Sequence, residues 1–198
     1  MIGAIKQKTI VEEGGKIEII SPELPVGATA DVIICIDEDQ DITVADHDHS
    51  LKKEMSDEEH HRKLENMYAS APCNEYYSPS LLISKGKAVV VIPVQENFFH
   101  AANAVHGSVY FKALDDAAFF AANSLVKNEL VLTVSFNVYL TRPISEGEMK
   151  SVGKVVHFSK NLIIAESVLT DAEGREIARG NGSFAKSKLR LSDEIGYI

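Results

Sequence analysis

Residues 105–126 read V-H-G-S-V-Y-F-K-A-L-D-D-A-A-F-F-A-A-N-S-L-V, and this segment limits the possible folds more than any other. At 3.6 residues per turn, Val109, Tyr110, Phe111, Ala113, Leu114, Ala117, Ala118, Phe119, Phe120, Ala121 and Ala122 cover every face of a helix. A helix that is apolar all round is buried all round, and its alanine-rich faces let a neighbour pack closely. Four strand candidates follow it: Leu130–Leu140, Met149–Phe158, Leu162–Thr170 and Glu176–Ala185. The breaks between them, Pro143 to Gly147, Ser159-Lys160-Asn161 and Asp171-Ala172-Glu173-Gly174, are turn chemistry. The expectation is an α+β chain in which an antiparallel sheet wraps one long central helix.

Upstream, Leu81–Ser84 and Ala88–Val94 alternate as strands around a Lys85-Gly86-Lys87 turn. Ser56-x-x-Glu59 is a capping box that opens a helix to about Ala69, closed by Pro72. Leu64, Met67 and Tyr68 give that helix its apolar stripe, and His60 and His61 in its first turn read as surface residues. Residues 1–36 alternate as three short strands, with Gly14-Gly15 at a hairpin turn and Leu24-Pro25-Val26-Gly27 in a loop. They resemble the small β modules of AbrB-like and antitoxin-type proteins and are expected to be an oligomerising or docking appendage. The resulting organisation is a β module at 1–36, an acidic link at 37–56, the main domain at 57–188 and a short tail at 189–198.

Charge narrows the function. Residues 1–60 hold 5 Lys against 15 Asp and Glu, whereas the rest of the chain is nearly balanced, for a net charge of −9. Nucleic acid is not an expected partner, because a duplex-binding surface needs a basic stripe. No run approaches a membrane span, and Met1–Lys8 lacks the apolar stretch of a secretion signal. Two cysteines, Cys35 and Cys73, form neither a disulfide framework nor a zinc site, so a cytoplasmic setting is expected. The run Asp46-His47-Asp48-His49 has ligand chemistry but no further ligands at useful spacing, and reads as a solvated link.

The chemistry lies on the long helix. Asp115 and Asp116 sit in mid-span of a segment that should carry no charge, and a buried carboxylate is costly unless it is paired. Lys112 pairs with Asp116 at i,i+4 spacing, which leaves Asp115 the poorer local partner. At the helix start stands His106-Gly107-Ser108. There a glycine permits close approach, and free N–H groups at the positive end of the helix stabilise developing negative charge. A carboxylate together with helix-end N–H donors is a set of parts for hydrolysing an acyl group. Phe98, Phe99, Tyr110 and Phe119 are candidate pocket walls, with core packing the expected assignment of each.

His106-Gly107-Ser108-x6-Asp115-Asp116-Ala117-Ala118, the run Thr133-Val134-Ser135-Phe136-Asn137-Val138-Tyr139-Leu140-Thr141-Arg142-Pro143, Gly147, and Asp171 to Ala178 keep a shared order and spacing. Over residues 57–187 the chain resembles the hotdog-fold acyl-CoA thioesterases of the PaaI-like family. The resemblance implies homodimers, or dimers of dimers, that pair edge strands and place active sites between subunits. It implies an acyl-CoA substrate, with coenzyme A as part of that substrate, and no metal or further cofactor. It puts the catalytic carboxylate on Asp115, the polarising N–H on Gly107, and a loop-fixing role on His106. The family's second glycine is Ser108 here, and its usual Asn or Gln six residues before the histidine is His100, with Asn103 three before. Arg142, Ser159 and Lys160 stand at turns matching those that hold the nucleotide in such proteins. A non-catalytic acyl-CoA sensor with an N-terminal interaction module is the rival reading.

Overall fold

The computed structural model describes residues 55–198. The expected β module at 1–36, the acidic link up to Glu54 and the Asp46–His49 run lie outside the described residues. Helix α1 (Asp57–Ser70) opens on Ser56, whose hydroxyl accepts the Glu59 N–H at 3.1 Å, as the capping box predicts. A single turn, α2 (Asn74–Tyr77), leads to β1 (Ser80–Ser84) and β2 (Lys87–Pro93). The long helix α3 (Gly107–Asn123) is followed by β3 (Glu129–Leu140), β4 (Glu148–Phe158), β5 (Ile163–Thr170) and β6 (Glu176–Arg190). All six strands form one antiparallel sheet in the order β1-β2-β4-β5-β6-β3.

Strand alternation builds the inner face of this sheet. Ala88, Val90 and Ile92 of β2, and Ile163, Ala165 and Leu169 of β5, are buried, and α3 lies across them. The helix comes close because β4 gives way at Gly153, where a Cβ would stand 2.1 Å from the Ala117 carbonyl oxygen. Neither backbone can retreat without shifting the helix from the sheet. Gly153→Ala should therefore lower stability by about 2–3 kcal/mol, read as a drop in the urea midpoint at unchanged slope. At its end, α3 is tied to β3 by Asn123, which is fully buried. Its Oδ1 accepts the Val131 N–H at 2.9 Å, and its Nδ2 donates to the Val126 and Glu129 carbonyls.

The expectation for the first-turn histidines is corrected. His60 is not a surface residue: its side chain has no exposure, with Nε2 2.9 Å from the Asn123 carbonyl and Nδ1 2.6 Å from the Tyr197 hydroxyl. His61 is buried as well. Burial pushes the His60 imidazole below its ordinary value, so the neutral ring is the favoured form. The end of the chain, expected as a short tail, packs. The sheet runs on to Arg190, and the residues beyond it pack against α1 through Tyr197 and through the Ile198 carbonyl, which accepts the Asn66 side-chain N–H at 2.7 Å. Among the described residues, no helix is long and apolar enough to cross a membrane.

Candidate active site

The entrance to α3 is built by backbone bonds. Val105 N–H donates to the Ile144 carbonyl at 2.9 Å, and His106 N–H donates to the Phe98 carbonyl at 2.8 Å. His106 then caps the helix: its Nδ1 accepts the Ser108 N–H at 3.2 Å and stands 2.8 Å from the Ser108 hydroxyl. The serine that replaces the expected glycine thus adds a second link to the cap. Gly107 is the first helical residue, and among the described residues its N–H has no partner. That donor points out of the positive end of the helix, where an oxyanion is stabilised.

Asp115 lies two turns further along. Its carboxylate is partly buried, accepts the Thr133 hydroxyl from β3 at 3.1 Å, and makes no ion pair among the described residues. Burial raises its pKa to about 6; the Thr133 hydrogen bond opposes the rise, the negative charge of Asp116 adds to it, and Lys112 opposes it again. A carboxylate titrating there is ionised at neutral pH yet basic enough to accept a proton. Asp116 is occupied as the spacing predicts, with Lys112 Nζ 2.6 Å from its Oδ2.

The turn before α3 holds the other polar candidates. Asn103 adopts a left-handed conformation (φ 57°) and donates its N–H to the His100 carbonyl at 2.9 Å, while His100 Nδ1 accepts the Ala102 N–H. His100, Asn103, Glu96, Phe99 and Ala101 line an open depression of about 520 Å³. Among the described residues, no contact joins this turn to Asp115. Arg142 is exposed just past β3, and its carbonyl accepts the Tyr110 hydroxyl at 3.0 Å. The Ser159 hydroxyl closes its own hairpin against Leu162, and the neighbouring Lys160 is exposed.

Of the four aromatic candidates, Phe98 and Tyr110 are core residues, Phe119 packs edge-on against Phe120 and Phe184, and Phe99 packs against the core. Phe111 stands one turn before Asp115 on the same helix stripe, as Phe119 stands one turn after it, and is 44% exposed. It meets Phe136 of β3 edge to face at 5.7 Å, and Phe136 rests on Gly180 and Gly182 of β6, where any side chain would overlap the ring. The sequence reading missed Thr133 and Phe111. The one available signal was position: Phe111 is four residues before Asp115, and a hydroxyl residue opens the strand run that follows the helix.

The sequence profile of the thioesterase superfamily matches residues 102–178, a span holding His106, Gly107, Asp115 and Thr133. A candidate esterase of Saccharolobus solfataricus is 28% identical over 102 residues, covering 52% of this chain and 73% of its own. Among solved structures, the PaaI protein of the E. coli phenylacetic acid degradation operon superposes with a TM-score of 0.61 at 18% identity, covering 67% of this chain and 99% of its own. A thioesterase from Haemophilus influenzae gives a TM-score of 0.58 at 13% identity, covering 63% and 88%. A thioesterase-family protein of Silicibacter pomeroyi gives 0.59 at 23% identity, covering 63% and 96%. At these identities the structures establish the fold, with its long helix and surrounding sheet.

Proposed function

We propose that this hotdog-fold protein, whose residues 102–178 carry the thioesterase-superfamily sequence pattern, hydrolyses an acyl-CoA thioester to the free acid and coenzyme A. The observation that carries the reading is one partly buried carboxylate, Asp115, without an ion pair among the described residues, on the same helix whose first N–H, that of Gly107, has no partner among them and is open to an oxyanion. Asp115 takes the proton of an attacking water or itself attacks the thioester carbon. The carbonyl oxygen becomes an oxyanion against the Gly107 N–H. The C–S bond then breaks; on the water route the leaving thiolate takes up the proton that Asp115 accepted, and on the nucleophilic route it departs as thiolate. In the nucleophilic route, water afterwards cleaves the resulting anhydride. His106 holds the helix start in shape, Ser108 reinforces that cap, and His100 or Asn103 orients the water or the carbonyl. Phe111 and Phe136 provide the apolar wall next to the carboxylate. Arg142 and Lys160 supply positive charge for the coenzyme A phosphates, with Ser159 shaping the turn. No metal or other cofactor enters this scheme.

The helix itself argues for a site shared between two copies. Gly107 and Asp115 are eight residues apart, about 12 Å along the axis. An oxygen held beyond the helix start lies roughly 15 Å from the level of Asp115. A carboxylate, a water and a carbonyl in line cover only about 7 Å. The Asp115 of one protomer therefore works with the Gly107 N–H of its partner. β3, at the sheet edge and carrying Thr133 with the exposed Leu132 and Val134, is the surface on which the two copies meet.

Mixed dimers test this arrangement. Asp115→Asn and Gly107→Pro chains, each inactive alone, should recover about a quarter of wild-type turnover after co-refolding in equal amounts. Half of the dimers are then mixed, and each mixed dimer holds one intact site. No recovery, with mixed dimers demonstrated by tagged pull-down, contradicts the shared site.

A further inference from the structure

Lys112 stands three residues before Asp115 and four before Asp116, so helix geometry offers it either carboxylate. In the structure its ammonium bonds to Asp116, and the reason lies on other elements. The Tyr68 hydroxyl of α1, almost fully buried, donates to the same Asp116 Oδ2 at 2.7 Å. The Lys112 ammonium sits over two rings, Tyr68 at 5.2 Å and Tyr77 of α2 at 5.1 Å. The side chains of the ion pair are only 14% and 18% exposed, so water and salt screen them weakly. A cation between two aromatic faces and a carboxylate has little reason to leave.

We propose that Tyr68, Tyr77 and Asp116 form a clamp that withholds Lys112 from Asp115, keeping the catalytic carboxylate without a counter-ion and thus basic enough for its task. Asp116 and Tyr68 are positioning residues under this proposal, which rests on the reading of Asp115 as the carboxylate of the reaction. Among the described residues, the groups facing Asp115 are few. Lys112 and Asp116 on its own helix carry the charges, and β3 contributes the uncharged Thr133 hydroxyl. From α1 and α2 come the two tyrosines that reach the ion pair. Were the clamp opened, Lys112 would turn to Asp115 and hold it ionised to lower pH, making it a poorer base.

The test is a titration of the Asp115 side-chain carboxyl carbon by NMR in protein labelled at aspartate, assigned by its disappearance in Asp115→Asn. Asp116→Asn preserves shape but frees Lys112, and should move the Asp115 midpoint down by about one pH unit. Lys112→Met keeps the apolar stem and leaves Asp116 unneutralised, so the last proton of the two carboxyls should leave about one pH unit higher. The acid limb of kcat/KM should follow in both. Loss of charge alone moves these two midpoints in the same opposite senses, because Asp116 raises and Lys112 lowers the Asp115 pKa. Tyr68→Phe decides, since it loosens the clamp and removes no charge: a lower Asp115 midpoint is expected, and an unmoved one overturns the proposal. A lowered midpoint in a protein without turnover would sustain the clamp and refute the thioesterase reading, and an unmoved midpoint with turnover intact would do the reverse.

Discussion

Replacing Gly107 by proline is expected to cut kcat for thioester hydrolysis by about 100- to 1,000-fold while leaving the fold in place. Proline removes one group, the N–H, at the first helical position, where no acceptor within the helix exists for it. The local backbone is already suited to the change. His106, the preceding residue, has φ −66° and ψ 143°, inside the region that proline permits its neighbour. Gly107→Ala is the matched control, since it keeps the N–H and adds a carbon that meets only Leu140 Cδ1, at 3.0 Å. Leu140 is exposed and free to give way. Oxyanion stabilisation by the Gly107 N–H predicts that alanine retains most of kcat and proline does not. Equal losses in both would assign the effect to crowding at the helix start. Circular dichroism and the thermal midpoint confirm that the proline variant is folded.

Asp115→Asn should abolish turnover and yet make the protein more stable at alkaline pH. The folded-state pKa of Asp115, about 6, lies above its ordinary value of 3.8, so ionising it opposes folding. That penalty is absent below about pH 4, grows between pH 4 and 6, and is complete above that range. Its full size is on the order of 2–3 kcal/mol. Asparagine keeps an oxygen for the Thr133 hydroxyl and carries no charge. The variant's melting temperature should therefore exceed that of wild type by roughly 5–8 °C at pH 8, with the difference vanishing at pH 4. A variant less stable than wild type at pH 8 would mean that the carboxylate is held by favourable contacts, contrary to the electrostatics described above. The trade of stability for a strained, basic carboxylate is the pattern expected where a group is kept for chemistry.

Features governed by local chemistry were legible in the sequence. The all-apolar stretch before a run of turn-separated strands left a wrapped helix as its main outcome, and α3 with the β3–β6 meander follows from it. Ser56-x-x-Glu59 and Asp171 to Arg175 work as local motifs. The second turn closes with Arg175 N–H donating to Asp171 Oδ1 at 2.8 Å and Gly174 at φ 78°. The Lys112–Asp116 pair was readable because helix spacing alone decides it.

What escaped the sequence depends on partners distant along the chain. His60 meets Tyr197, 137 residues away, and the Asn123 carbonyl, 63 away, so a first-turn histidine that looked solvated is sealed beneath the chain's end. Thr133 reaches Asp115 next to a shift of register in the β3–β6 ladder, between Thr133 and Ser135, which strand alternation does not foretell. Phe111 looked like one more core residue of an apolar helix. Its exposure becomes visible only when the sheet and α1 have covered the other faces of the helix. The choice of Lys112 between two carboxylates is made by tyrosines from α1 and α2, again beyond any local pattern.

The most direct test of the catalytic reading is thiol release from a panel of short, medium, long and aryl acyl-CoAs, followed from pH 5 to 9 with wild type and Asp115→Asn. The predicted result is turnover of at least one member, rising with pH through about 6 as Asp115 loses its proton, and about 100-fold or more slower in the variant. Wild-type protein that releases no thiol from any member, or an asparagine variant as fast as wild type, would contradict it.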